Sequence, residues 1–183
     1  MAFESYYWRQ IMKKEALLLS KVLVYTHKDA DKNYDKHYSH LQIRIMALAF
    51  VIRKLDQTGK LPDNTLNASI NARKYPALED CGTRWLVDID KEYNLNAKGQ
   101  VVEIQLWDIC NQIIHSHILE SAGSQKRAFK YLFFVSDKKK LAGINRILIT
   151  DFLKLARKVA NSQVTKMRTE YDEEKMKWII TRN

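Results

Sequence analysis

The sequence predicts a mainly α protein: a helical bundle with one β-hairpin appended at about 130–149, in a single domain spanning 1–183. Three observations predict this. Five Gly and two Pro in 183 residues are too few for an all-β chain of many tight turns, and too few for disorder. Long stretches repeat apolar residues at helical spacing. Only 130–149 changes to the aromatic and β-branched composition of strands. A hydrophobic content of 46% is ordinary for a globular protein, and the chain is long enough to bury a core.

The elements follow in order. Residues 3–26 read as a long helix. Tyr7, Ile11, Leu18, Val22 and Tyr25 share one side, with Lys13, Lys14, Glu15 and Lys21 elsewhere. Glu4 and the lack of a small-residue cleavage site mark this as a helix of the fold, not a signal peptide. HKDADKNYDKH, 27–37, is a polar connector. With the next three residues it offers three His and three Asp, and a solvated loop is expected ahead of loose metal binding. Ser39 and Gln42 make a capping-box pattern before LQIRIMALAFVIRKL, and Gly59 supplies a stop. Ile45 to Ile52 is apolar on every side, so this helix is expected at the centre of the core.

Residues 61–82 are the least regular part, with turns at Pro62-Asp63-Asn64 and at Pro76. The stretch is long for a structureless loop, so it holds short helical turns or covers a functional surface. TRWLVDIDKEYNL contains another short helix, 96–99 a turn, and a longer helix runs from about Gln100 to His117. KYLFFV and INRILI read as the two hairpin strands, joined by the polar connector SDKKKLAG. Thr150 or Asp151 caps a helix carrying Phe152, Leu155, Ala156 and Val159 on one face. VTKMRTEYDEEKMKWII reads as a final helix.

Charge is placed unevenly. The net charge is +10; residues 1–120 hold 16 Lys/Arg and 15 Asp/Glu, and residues 121–183 hold 15 and 6. The excess therefore lies in the C-terminal third, which suggests an acidic partner, RNA first, or a solvated surface that aids solubility. Lys126, Arg127, Lys138, Lys139 and Lys140 are the candidate phosphate contacts. The strand aromatics Tyr131, Phe133 and Phe134 either stack bases or pack against a helix, and packing is expected. No apolar run reaches the roughly 18 residues of a membrane span. Cys81 and Cys110 have neither metal spacing nor a disulfide framework, so a cytoplasmic setting is expected. No Gly-rich phosphate loop or other cofactor fingerprint is present, and neither cofactor nor metal is expected.

The stretch CNQIIHSHI, 110–118, raises the functional question. On a helical wheel Val102, Leu106, Ile109 and Ile113 form an apolar stripe. Ile104, Asp108, Asn111 and His115 form a second stripe, polar at three of its four positions. Asp108 is expected to reach Asn111, and Asn111 to reach His115. One reading is a solvated stripe with an ordinary boundary histidine. The other is a site, because Ile114, Ile118 and Leu119 surround the imidazole and a half-buried polar stripe requires partners.

CysAsnGlnIleIleHis, 110–115, resembles the signature of the HEPN nucleases and their relatives. These are helical bundles with Arg, a polar residue often Asn, about three further residues, and then His on one helix. Asn111 and His115 occupy the Asn and His positions, and Ser116 suits the hydroxyl that follows. The resemblance implies a metal-independent attack of a ribose 2′-hydroxyl, with Asn111 and His115 catalytic and Cys110, Ser116 and Asp108 beside them. Cys110 stands where the family has Arg and supplies no fixed cation. Activity is then lost, or the cation comes from elsewhere, with Arg84, Lys126 and Arg127 as candidates.

Three functions are therefore open. The first is an RNA-binding HEPN-like protein of a defence or toxin-type system, degenerate as a ribonuclease. The second is a non-catalytic module, scaffold or antitoxin-like, that forms a homodimer through the 102–118 helix. The third is a plain nucleic-acid binder using its basic C-terminal third.

Overall fold

Alternation, and not helical spacing, governs much of the chain. The computed structural model describes residues 2–26, 33–82, 88–124, 127–172 and 174–183; of residues 2–4 and of Arg127 it describes the backbone alone. Helices α1 (Ala2–Val22) and α2 (Tyr34–Gln57) come first, then the single turn α3 (Asp63–Leu66). Strand β1 (Ser69–Tyr75), the short helix α4 (Ile89–Glu92), strand β2 (Gln100–Gln105) and helix α5 (Leu106–Ile114) follow. Strands β3 (Ser116–Ser124) and β4 (Arg127–Ser136), a 3₁₀ turn (Asp137–Ala142), strand β5 (Ile144–Leu148) and helix α6 (Ile149–Asn161) come next. Strands β6 (Met167–Asp172) and β7 (Lys177–Arg182) end the chain.

The expected mainly α, all-helical bundle is overturned. Five strands form one antiparallel sheet in the order β2-β1-β5-β4-β3, and β6 with β7 forms a second sheet of two. The first error lay in 100–117. Val102 and Leu106 are four apart, so the stripe of α5 extends backward on paper as one long helix. In the structure QVVEIQ pairs residue for residue with SINARKY, Val102 opposite Ala72 and Ile104 opposite Ile70. Val102 and Ile104, on different sides of the imagined helix, both join the core, because side chains two apart share a strand face. The second error was the last segment. Met167 pairs with Arg182 and Tyr171 with Trp178, so VTKMRTEYDEEKMKWII is a hairpin and not a helix. The irregular 61–82 segment holds α3 and the whole of β1.

In the 130–149 stretch β4 pairs with β5, Tyr131 opposite Leu148 and Phe134 opposite Asn145. Their connector is a 3₁₀ turn with a structural duty: the Lys140 carbonyl accepts from Tyr93 Oη at 3.1 Å.

All the long helices lie on one face of the sheet. Leu48, Ile52, Ile109, Ile113 and Phe152 pack there with Ala72, Leu132, Phe134 and Ile147 from the strands. The buried stripe of α1 is Met12, Ala16 and Leu19, and it is turned from the expected one. Tyr7 and Ile11 are 53% and 41% exposed. Arg9 joins that stripe and donates to the Val159 carbonyl at 2.6 Å and the Lys60 carbonyl at 2.8 Å. Helix α2 begins at Tyr34, ahead of the Ser39 pattern, and Gln42 Nε2 donates instead to the Leu119 carbonyl at 2.7 Å. Phe50 is exposed, so α2 is not apolar-covered on every side.

The other face of the sheet carries a smaller cluster. Tyr75, Phe133, Val135, Ile118 and Ile144 pack with Cys81 and Tyr93 from the segment that leaves β1. Glu120 shares this face by its register opposite Phe133. Burial, then Asp88 and Asp90, push its carboxyl above the ordinary range. The folded chain thus holds that proton more tightly than the unfolded chain, so stability is favoured at low pH and falls as pH rises through the carboxyl range. Glu120→Gln is expected to raise the thermal midpoint at neutral pH by about 1–2 °C, small because the group is only half buried. The gain should vanish below about pH 4, where the wild-type carboxyl is protonated in both states. An equal gain at both pH values in a melting series would refute the electrostatic origin.

Among the described residues no helix is long and apolar enough to cross a membrane.

Candidate functional site

Helix α5 is short because its role is to bridge two edges of the sheet. It leaves β2 at Gln105 and delivers the chain to β3 at Ser116. Leu106, Ile109, Cys110 and Ile113 commit its inner side wholly to the core. The residues left over face a cleft of about 600 Å³ between α5 and the 3₁₀ turn. Asp108, Asn111, His115 and Ser116 line it, together with Lys138 and Lys139. Two groups of candidates from separate stretches therefore meet in one place.

The junction is held by backbone. His115 caps α5, its N–H donating to the Asn111 carbonyl at 3.1 Å, and its own carbonyl accepts from the Asp137 N–H at 3.3 Å. That second bond seats the 3₁₀ turn against the end of α5 and brings its lysines to the imidazole side. The expected Asp108–Asn111 contact is replaced by another. Asp108 Oδ2 accepts from Gln112 Nε2 at 3.0 Å, and Gln112 Oε1 accepts from Asn145 Nδ2 at 3.1 Å. Lys139 Nζ donates to Asp108 Oδ1 at 2.7 Å. A polar line thus runs from β5 through α5 to the cleft rim. Sequence reasoning missed Gln112, Asn145 and the cleft residue Ser136. The i,i+4 spacing of Asp108 and Gln112 was the available signal.

The remaining candidates fall elsewhere. Cys110 is fully buried, and burial pushes its thiol above the ordinary range, with nearby Arg53 opposing. It does not line the cleft. Lys140 does not line the cleft; its side chain runs beside Gly82, and its Nζ donates at 2.9 Å to Oδ1 of Asp137, which does line it. Lys126 and Arg84 lie outside the described residues, and so does the Arg127 side chain. So do residues 27–32 of the His- and Asp-containing connector. The basic residues of the C-terminal third are spread over β4, the 3₁₀ turn, β5, α6 and the β6–β7 hairpin.

His117 lies apart from the cleft, at the irregularity in the β3–β4 register between Ser116 and Ile118. Its Nε2 lies 3.2 Å from Oε2 of Glu92, a fully buried carboxylate. Cys81 Sγ also donates to that oxygen at 3.7 Å, and Oε1 of Glu92 has no partner among the described residues.

Compared with protein-family models, curated proteins and solved structures, the chain matches none.

Proposed function

We propose that the protein binds RNA in the cleft between α5 and the 3₁₀ turn. Lys138 and Lys139 would contact phosphates, and His115 is placed to act as a metal-independent general acid/base toward a ribose 2′-hydroxyl, with Asn111 and Ser116 as polar neighbours. One observation carries this reading. The cleft unites the Asn111–His115 pair with ammonium groups from another element, which supply the cation that Cys110 lacks. Cleavage is expected to be weak, because Lys139 is already engaged by Asp108.

The test uses purified protein and labelled RNA in the presence of a chelator. His115→Ala should remove cleavage with the thermal midpoint nearly unchanged, since an exposed imidazole contributes little to stability. Lys138→Gln with Lys139→Gln should weaken binding and lower the slope of log affinity against log salt by about 0.7 to 1.4, a full contact from Lys138 and at most one more from Lys139, which Asp108 already engages. Binding that ignores salt, or cleavage that survives His115→Ala, would remove the reading.

The second reading, a non-catalytic dimeric interaction module, is favoured by the β6–β7 hairpin. It exposes Trp178 and Ile180, with Trp178 at 66%. The apolar side of α5 is consumed within its own subunit, so the dimer contact would lie on the hairpin. Light scattering should then show a dimer that Trp178→Lys separates, and a wild-type monomer at high concentration would exclude it.

A further inference from the structure

Among the described residues, the sheet face opposite the long helices is covered over only part of its area. The segment after β1 closes one end, over Tyr75, Val135 and Ile144. At the other end Arg73 of β1 stands directly opposite Arg146 of β5. Tyr131 of β4 adjoins them, and the three line a concavity of about 230 Å³.

Like charges directly opposite each other on neighbouring strands repel. Among the described residues neither guanidinium has a carboxylate partner. Arg73 Nη1 donates to the Lys98 carbonyl at 2.6 Å, and Gly99 leaves room for this, since a Cβ there would lie 2.7 Å from Arg73 Cγ. Arg146 makes no hydrogen bond among the described residues. It lies over rings, 4.6 Å from the Tyr131 centroid, 5.2 Å from Tyr75 and 6.0 Å from Phe133. Asp151, which also lines the concavity, is engaged by Lys154 at 3.0 Å. Lys130 Nζ sits 4.9 Å from the Tyr131 ring. The hydrogen bond from Lys130, then the charges of Lys130, Arg146 and Arg73, hold the Tyr131 phenol below its ordinary range against the opposing effect of burial. Lys130 and Arg146 thus lie against one aromatic ring with Arg73 close by, and among the described residues none of the three has a carboxylate partner.

We infer that this face is a binding site for single-stranded RNA, with one phosphate between Arg73 and Arg146 and the adjoining base on the layer formed by Arg146 and Tyr131. A guanidinium held flat by rings keeps its donor fork free for a phosphate, and its planar face, like an aromatic ring, stacks a base of any sequence. The occupant's class rests on the RNA-binding reading above, but the site shares no residue with the cleft.

The experiment measures anisotropy of labelled dodecauridylate with the full chain across a salt series, together with ultraviolet crosslinking. Arg146→Gln should weaken binding about tenfold and lower the salt slope by about 0.7. Arg146→Lys, which keeps the charge but not the planar fork, should fall between. Arg73→Gln is the second variant and should weaken binding similarly, so it decides the matter if Arg146→Gln does not fold. The crosslinked peptide should contain Tyr131. If these variants bind as wild type while Lys138→Gln with Lys139→Gln does not, this site is overturned and the cleft reading stands. If only the Arg146 and Arg73 variants lose binding, the site stands and the cleft reading falls. No binding by the wild-type chain overturns both.

Discussion

Gly143→Ala is expected to cost on the order of 3 kcal/mol or more. Gly143 joins the 3₁₀ turn to β5 with φ +108° and ψ 159°, a region open almost only to glycine. A Cβ there would lie 2.4 Å from the Tyr75 carbonyl oxygen. That oxygen belongs to the end of β1, where Tyr75 pairs with Ile144, so relief requires the β1–β5 ladder to part. Gly82 is the control. Its φ is also positive, but a Cβ would meet only the flexible end of Lys140, so Gly82→Ala should cost about 1 kcal/mol. Urea denaturation measures both. Equal losses, or a loss below about 1 kcal/mol at Gly143, would show that β1 moves aside freely.

His117→Ala should cost about 1–3 kcal/mol, because it leaves the buried Glu92 side chain without its imidazole partner at 3.2 Å. Glu92→Leu should be milder, since His117 keeps 16% of its side chain exposed and can turn to water, whereas Glu92 has no such exit. Joining Glu92→Leu with His117→Leu should recover most of the loss, as both members of a buried polar pair are replaced by apolar groups and neither is left unsatisfied. A double-mutant cycle reads the coupling. If His117→Ala proves the milder single change, Glu92 draws its stability from something other than the imidazole.

Both positions bear on the candidate cleft. Gly143 ends the turn that carries Lys138 and Lys139. His117 follows the cleft residues by one strand step and points to the opposite sheet face. A change at either is expected to disturb the site through its frame, which separates it from His115→Ala, whose effect should be confined to activity.

Elements whose signal is local are readable from the residues alone. Helices α1 and α2 were legible because their apolar repeats are long. The β4 and β5 strands were legible because KYLFFV and INRILI are dense in aromatic and β-branched residues. Helix α6 was legible because Phe152, Ala156 and Val159 recur at helical spacing ahead of a hairpin. Asn111 and His115 could be singled out as polar intruders on an apolar helix. The other elements arise from long-range pairing. Strand β1 carries Asn71, Arg73 and Lys74 and has no strong strand signal of its own; it exists because β2 and β5 supply its partners on both sides. QVVEIQ satisfied a helical wheel and a strand pattern equally, and only the ladder to Ala72 and Ile70 broke the tie. The terminal hairpin is almost wholly exposed, so no burial pattern could announce it. The encounters that make the candidate sites are likewise non-local. Lys138 in one cleft with His115 depends on the pairing of Ser116 with Ser136 and on the hydrogen bond between Asp137 and the end of α5, and Arg73 opposite Arg146 depends on a strand register that joins residues 73 positions apart.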